Sequence, residues 1–69
     1  MRGVMKGLQT IRKERHLTQI AVADALHITR EALSYYENGK RSPDITMLIK
    51  MSDFFGVSIH FLITGEEFK

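Results

Sequence analysis

The chain has 69 residues and no cysteine, and this combination restricts its possible folds more than any other feature of the sequence. Very small domains are often held together by disulfides or by thiolate-bound metals, and neither is possible here. Without such support, a single core of this size rarely supplies more than about 3–5 kcal/mol of stability. We therefore expect one domain over residues 1–69 that depends on close helix packing or on self-association.

Apolar residues recur at intervals of three and four, which predicts an all-α fold and gives little support to strands. Five helices are expected, over residues 4–15, 19–26, 30–36, 45–55 and 59–63, with a short tail over residues 64–69. The last four helices each follow a side chain that can cap the first turn, namely Thr18, Thr29, Asp44 and Ser58. Helix ends are marked by Gly39, Gly56 and Gly65. Gly7 lies inside the first helix and costs up to ~1 kcal/mol relative to alanine, so we expect this end to fray.

Residues 18–39 contain two short predicted helices that are separated by a tight turn at His27 and Ile28. Helices that cross steeply need a small residue where they touch, and Ala23 supplies it, because a longer side chain would hold the backbones apart. The positions expected to be buried between these helices and the rest of the molecule are Val22, Leu26, Ile28, Leu33 and Tyr36. This pattern predicts a helix-turn-helix, a motif whose second helix can lie in the major groove of DNA.

The fourth predicted helix carries two apolar faces. The first face consists of Ile45, Leu48, Ile49, Ser52 and Phe55. A separate face consists of Met47, Met51 and Phe54, and further apolar residues follow at Ile59, Phe61 and Phe68. These additional apolar residues are either ordinary core and exposed side chains or the seam of a homodimer.

Positive charge is concentrated in the first part of the chain. Residues 1–41 contain eight basic and four acidic residues, whereas residues 42–69 contain two basic and four acidic residues. This uneven distribution favours a polyanion as the partner of one face. Charge alone does not identify a nucleic-acid binder, because most small proteins with a net charge of +2 are not nucleic-acid binders.

The sequence contains no recognisable catalytic or metal-binding pattern. The histidines His16, His27 and His60 lack the spacing of metal ligands. No serine has a histidine and a carboxylate placed beside it by local spacing, and no glycine-rich phosphate loop occurs. No apolar stretch approaches the ~20 residues of a membrane span. We therefore predict a cytoplasmic binding protein that is not an enzyme and that uses no cofactor, metal or small-molecule effector.

A set of short motifs occurs in a characteristic order along the chain. They are Ile11-Arg12, Leu17-Thr18-Gln19, Ala23, Leu33, Tyr36-Glu37-Asn38-Gly39-Lys40, Pro43, Phe55-Gly56-Val57-Ser58 and Phe61-Leu62. With these motifs, the chain resembles the phage repressor/Cro-type (Xre-like) helix-turn-helix family, which also includes many bacterial regulators. The resemblance covers about residues 4–65 and implies a compact five-helix, lambda-repressor-like domain. In this family the residue at position 27 is often a glycine with positive φ, so we expect strain of about 1 kcal/mol at His27.

The resemblance also implies which residues contact DNA. Base-reading positions fall on Arg30, Glu31 and Tyr35. Chemically, Arg30 can donate to guanine O6 and N7, and Glu31 can accept from cytosine N4. Contacts with the phosphate backbone are implied for Gln19, Thr29, Ser34, Asn38, Lys40 and Arg41. The resemblance also implies that Gln19 braces the recognition helix. The alternative is that these residues form only a solvated charged face and a solvated turn. Arg12 and Glu37 match positions that often form an internal ion pair in relatives, so we expect a structural role for both.

The predicted partner is double-stranded DNA, and the predicted function is sequence-specific regulation of transcription by a repressor that occupies its operator. A homodimer would place two recognition helices about 34 Å apart on a palindromic operator. The resemblance favours Ile59 and Phe61 as seam residues, and Phe54 joins them as an apolar candidate. The alternative function is that of a protein-binding adaptor or an antitoxin-like module, which the apolar face around Phe54 favours.

Overall fold

The computed structural model describes residues 5–66, and within that range it contains five helices and no strand. The helices are α1 (Lys6–Glu14), α2 (Gln19–Leu26), α3 (Arg30–Asn38), α4 (Ile45–Phe55) and α5 (Ile59–Thr64). The prediction of an all-α, five-helix architecture is confirmed. The predicted helix start at Val4 and the part of the predicted tail that includes Phe68 lie outside the described residues. Between residues 5 and 66, each helix is too short or too polar to traverse a lipid bilayer.

The four later helices begin directly after the predicted capping residues. In each case a side-chain oxygen accepts a hydrogen bond from the backbone N–H three residues later, at 2.9 or 3.0 Å. The four capping residues are Thr18, Thr29, Asp44 and Ser58. α3 runs two residues beyond its predicted end, to Asn38, because the next residue that readily adopts a left-handed conformation is Gly39, with a φ of 76°.

The hydrophobic core receives side chains from all five helices. Its buried members are Met5, Leu8, Ile11, Val22, Ala23, Leu26, Leu33, Met51, Phe55 and Leu62. The predicted burial of the helix-turn-helix is confirmed, and its two peripheral positions, Ile28 and Tyr36, are half-buried against the core. Among all pairs of helices, α1 and α5 make the most extensive contact, so the first and last helices close the fold.

The structure determines which of the two apolar faces of α4 is buried. Met51, on the second face, is completely buried, and Met47 packs against the core, as the ordinary-core alternative requires. Ile45 and Ile49, on the first face, are 64% and 48% exposed. The buried stripe is therefore offset by roughly 90° around the helix axis from the centre of the first face, which is about the rotation of one residue. α4 has two neighbouring apolar stripes, and each has the spacing of a helix face. Contacts with the other helices determine which stripe is buried.

Gly7 has a packing role that the prediction of a frayed helix end does not include. It is buried in α1 against the backbone of α5, and a Cβ atom added there would lie 1.6 Å from the Phe61 carbonyl oxygen. The same atom would lie 2.9 Å from the Cα atom of Leu62. Glycine therefore allows the two helices to approach more closely than any side chain would permit. The resulting contact with α5 fixes this part of α1.

The turn between α2 and α3 has the conformation that the resemblance implies. His27 adopts a φ of 61°, in the left-handed region. The Ile28 N–H donates to the Ala23 carbonyl at 2.9 Å, and Nζ of Lys50 in α4 donates to the Leu26 carbonyl at 3.0 Å. These bonds satisfy carbonyl groups in the last turn of α2. The angle between α2 and α3 is therefore supported both by the turn itself and by α4.

Replacing His27 by glycine is expected to stabilise the protein by about 0.5–1 kcal/mol, because glycine adopts the left-handed conformation without the steric cost of a Cβ atom. His27 is exposed, so the loss of its ring removes little packing. The matched control is His27→Ala, which also removes the ring but keeps the Cβ atom and should not stabilise. Urea unfolding followed by circular dichroism measures both variants. A lower unfolding midpoint for His27→Gly than for the original chain would contradict this expectation.

Candidate nucleic-acid interface

α3 buries one side and presents the other to solvent. Leu33 and Glu37 are 0% and 1% exposed, whereas Arg30, Glu31 and Tyr35 are all exposed. The three residues at the predicted base-reading positions therefore lie on the solvent-facing side of a helix whose opposite side is fixed in the core. This is the geometry that a helix needs in order to enter a groove of a duplex.

The residues predicted to contact phosphate lie at the start, middle and end of the same motif. Thr29 caps α3 through its hydroxyl oxygen, so the hydroxyl hydrogen stays available to an acceptor. The Asn38 side chain donates to the Ser34 hydroxyl at 3.2 Å, which joins two of the predicted residues across one helical turn. Lys40 and Arg41 are exposed in the loop that follows α3. Exposed donors and cations of this kind suit an anionic backbone.

A buried ion pair ties α1 to the end of α3, as the resemblance implies. Nε of Arg12 donates to Oε2 of Glu37 at 2.6 Å, and Nη2 donates to Oε1 at 3.1 Å. The Arg12 side chain is 11% exposed, and Nη1 donates to the Leu17 carbonyl at 3.0 Å. Arg12 is therefore committed to contacts inside the protein, and its expected role is structural.

Gln19 joins this buried pair to the exposed side of α3. Its Nε2 donates to Oε1 of Glu37 at 3.1 Å, and its Oε1 accepts from Nη1 of Arg30 at 3.4 Å. The resemblance implies both a phosphate contact and a bracing role toward the recognition helix for Gln19, but it names neither bonding partner. No local pattern could reveal them, because the partners lie 18 and 11 residues away along the chain.

The exposed side of α3 and the loop after it combine cationic donors with one carboxylate. Arg30, Lys40 and Arg41 carry positive charge, and Glu31 lies in the first turn of α3, where the helix dipole favours a carboxylate. A donor and an acceptor on adjacent residues can distinguish between base edges, which an array of cations cannot do. Within residues 5–66, no group of three or more His, Cys, Asp or Glu side chains is placed to hold a metal ion.

The three residues predicted for a dimer seam differ in accessibility. Phe54 is 42% exposed and rests edge-on against Phe55, with ring centroids 4.8 Å apart. Ile59 and Phe61 are half-buried, and Phe61 packs against the core of its own chain. Phe54 is therefore the most accessible of the three, and a change at Phe61 would disturb the folded chain itself.

Three comparisons relate this geometry to known proteins. The profile of the family described as helix-turn-helix matches residues 8–62. The HTH-type transcriptional regulator YqaE of Bacillus subtilis is 44% identical over 61 residues, which are 88% of this chain and 53% of YqaE. The HTH-type transcriptional activator BcrR of Enterococcus faecalis is 42% identical over 60 residues, which are 87% of this chain and 29% of BcrR. The crystal structure of a transcriptional regulator from Listeria innocua aligns with a TM-score of 0.80 and 28% identity, over 100% of this chain and 64% of that one.

The matched region of the family profile runs from α1 into α5 and includes the whole of α2, α3 and α4. The chain spans about half the length, or less, of the two curated relatives. The similarity to them therefore concerns the five-helix unit and not the remainder of those longer proteins.

Proposed function

Because the chain belongs to the helix-turn-helix family, we propose that it is a sequence-specific DNA-binding unit of a transcriptional regulator and that α3 enters the major groove. The observation that carries this proposal is the shared outward placement of Arg30, Glu31 and Tyr35 on α3. The names of the relatives support it, since YqaE is named a transcriptional regulator and BcrR a transcriptional activator.

In this proposal the exposed side of α3 reads base edges. Arg30 donates to O6 and N7 of a guanine, and Glu31 accepts from N4 of a cytosine. Tyr35 covers a thymine methyl group or reaches a phosphate. Glu31 contributes more to specificity than to affinity, because a carboxylate close to phosphates is unfavourable unless it meets a donor.

The second part of the proposed interface contacts the phosphate backbone and positions α3 in the groove. Its residues are Gln19, Thr29, Ser34, Asn38, Lys40 and Arg41. Affinity for any DNA should fall steeply as salt rises, because these contacts release counterions from the duplex. The base contacts then raise the affinity for one sequence above the weaker affinity for all others.

Arg30→Ala is expected to cost about 1–3 kcal/mol on the preferred site and to relax the preference at one base position. Binding-site selection from random DNA, followed by sequencing, identifies that site and reports its symmetry. Fluorescence anisotropy then gives Kd on the selected site and on random DNA. Lys40→Ala is the control, because a lost phosphate contact should weaken binding to all sequences alike. Equal losses on both DNAs for Arg30→Ala would contradict the base-reading role.

We propose that two copies bind a palindromic operator. A homodimer places two copies of α3 about 34 Å apart, which is one turn of the duplex. A single 69-residue chain offers limited area for tight binding, so a second copy adds affinity as well as specificity. The proposed seam consists of Ile59, Phe61 and Phe54.

Phe54→Ser is expected to weaken dimerisation roughly tenfold while the fold is retained, because Phe54 is 42% exposed in the single chain. Sedimentation velocity measures the association, both for the free protein and on the selected DNA. Ile45→Ser is the matched control, since Ile45 is 64% exposed and lies outside the proposed seam. The unmodified chain sedimenting only as a monomer, free and on DNA, would remove the homodimer from this proposal.

Repression is the proposed outcome, because a bound dimer over a promoter blocks access of the polymerase. BcrR is named an activator, so similarity alone does not fix the sign. A reporter gene whose promoter overlaps the selected site is expected to lose expression when the protein is present. Higher expression would assign activation instead.

A protein-binding module is the second candidate function, and the exposed aromatic ring of Phe54 favours it. An adaptor or antitoxin-like module would bind its partner at high salt and would show no preference among DNA sequences. A competition experiment separates the two functions. A protein partner that binds around Phe54 should stay bound when selected DNA is added, because the DNA would occupy a different face. Selection that enriches no sequence would favour the second candidate.

A further inference from the structure

Asn38 is the only asparagine of the chain, and a glycine follows it directly. Asparagine is one of the thermally labile residues of proteins, because the backbone nitrogen of the next residue can attack its side-chain carbonyl carbon. A following glycine favours this attack, since it has no side chain to hinder the ring that forms and it allows the backbone many conformations. The end of α3 therefore carries a chemically reactive position.

The reaction at this position needs only water as a second reactant. The Gly39 nitrogen bonds to Cγ of Asn38, the bond from Cγ to Nδ2 breaks, and the Gly39 proton leaves with the amide nitrogen as ammonia. Water then opens the resulting succinimide. Opening at Cγ gives aspartate, and opening at the backbone carbonyl carbon gives isoaspartate. Both products replace a neutral amide with a carboxylate, so the end of α3 gains a negative charge.

The backbone at the end of α3 opposes this reaction. Asn38 is the last residue of the helix, and a helical ψ, about −42°, keeps the Gly39 nitrogen away from Cγ of Asn38. The Gly39 N–H donates to the Tyr36 carbonyl at 3.4 Å, and the Lys40 N–H donates to the Tyr35 carbonyl at 2.9 Å. Gly39 is also buried. The last turn of α3 must therefore open before the ring can close.

The side chain of Asn38 is restrained as well. Its Nδ2 donates to the hydroxyl oxygen of Ser34 at 3.2 Å, one turn back along α3. This bond holds the amide against the helix, and ring closure requires that the bond break and that the amide turn toward Gly39. The bond is exposed to solvent, so its effect on the reaction is that of one net hydrogen bond, about three- to tenfold in rate.

We propose that Asn38 is a deamidation site that the folded end of α3 protects, and that its conversion to aspartate or isoaspartate weakens DNA binding. The consequence for DNA rests on the phosphate contact proposed above for Asn38, whereas the chemistry does not depend on that contact. A carboxylate beside a phosphate group is repelled by it. Isoaspartate also adds a carbon atom to the backbone before Gly39, which shifts the loop that carries Lys40 and Arg41.

Peptide mass spectrometry measures the reaction without DNA. Trypsin releases residues 31–40, and chromatography separates the amide, aspartate and isoaspartate forms of this peptide. At mildly alkaline pH, the folded chain is expected to deamidate at least about tenfold more slowly than the chain unfolded in guanidinium chloride, because the last turn of α3 must open first.

The bond between Asn38 and Ser34 is tested by two variants of the same shape. Ser34→Val removes the acceptor, whereas Ser34→Thr keeps a hydroxyl group, and both side chains have nearly the helix propensity of serine. In the folded chain, Ser34→Val is expected to deamidate about three- to tenfold faster than Ser34→Thr. In guanidinium chloride the two variants should react at the same rate, because the bond is absent there.

Affinity for the selected DNA provides the second readout. Asn38→Asp introduces the charge of the product, whereas Asn38→Ala removes the amide without adding a charge. Asn38→Asp is expected to bind about tenfold more weakly than Asn38→Ala at low salt. The difference should shrink as salt rises, because ions screen the repulsion between the carboxylate and the phosphates.

The two readouts separate the failure of this inference from the failure of the proposed function. An unfolded chain that keeps its amide, or a folded chain that reacts as fast as the unfolded one, would overturn the protected site whatever happens with DNA. Equal affinities of Asn38→Asp and Asn38→Ala at low salt would overturn the consequence for DNA. If selection enriches no sequence, the proposed function is the part that fails, and the peptide measurement still decides the chemistry. Slow deamidation of the folded chain together with a charge-dependent loss of affinity supports the inference.

Discussion

Glu37→Ala is expected to remove about 3–5 kcal/mol from the free energy of unfolding, because it leaves the buried Arg12 guanidinium without its charge partner. Two N–H donors of Arg12 and one of Gln19 lose their acceptor at the same time. A core of this size rarely supplies more than about 3–5 kcal/mol in total. The variant is therefore expected to be largely unfolded at room temperature, as measured by circular dichroism and urea titration.

The informative control replaces both partners at once. A double variant with Arg12→Met and Glu37→Met removes the pair without leaving a buried charge, and it should recover much of the lost stability. Arg12→Met alone should be nearly as unstable as Glu37→Ala, because it leaves a buried carboxylate unpaired. Ordinary surface variants change the free energy of unfolding by no more than about 0.5 kcal/mol. A change as small as this in Glu37→Ala would contradict the structural role of the pair.

Gly7→Ala is expected to destabilise the protein by about 2–3 kcal/mol, although alanine has the higher helix propensity. The added Cβ atom would lie 1.6 Å from the Phe61 carbonyl oxygen and 2.6 Å from the carbonyl carbon. Both atoms belong to the backbone of α5, so a rotation of a side chain cannot relieve the clash. α1 and α5 must therefore separate, and their contact is the most extensive one between helices.

Thermal and urea unfolding of Gly7→Ala measure this loss. Thr10→Ala is the matched control, because Thr10 is an exposed residue of the same helix and the exchange to alanine raises its helix propensity. The control should be neutral or slightly stabilising. If Gly7→Ala were as stable as Thr10→Ala, the close approach of α1 and α5 would not be a feature of the folded protein.

Features that depend on neighbouring residues were predictable from the sequence. A capping side chain acts on the N–H group three residues later, so Thr18, Thr29, Asp44 and Ser58 mark helix starts without knowledge of the fold. The turn glycines act in the same local way. The ion pair between Arg12 and Glu37 was predictable only through the resemblance to a family, because no local pattern joins residues 25 positions apart.

Features that depend on which surfaces meet were not predictable. α4 has two apolar stripes, and the sequence does not favour the burial of one over the other. Only the contacts of α4 with other helices determine that Met51 is buried and Ile45 exposed. From the sequence, Gly7 is only a residue of low helix propensity. Its packing role becomes visible when the backbone of α5 is placed beside it. The bond between Gln19 and Glu37 belongs with these cases, since it crosses between helices and no local pattern joins the two residues.

The contact between α1 and α5 also has a consequence for the newly made chain. α1 is synthesised before the other four helices of this unit, and it packs mainly on α5, which is synthesised after them. Bringing such distant segments together costs entropy that only the finished core offsets. A nascent polypeptide still attached to the ribosome, with α5 inside the exit tunnel, cannot complete this closure. The protein therefore reaches its compact form after translation of the helical region, and a truncated product that ends before α5 would be open to proteolysis.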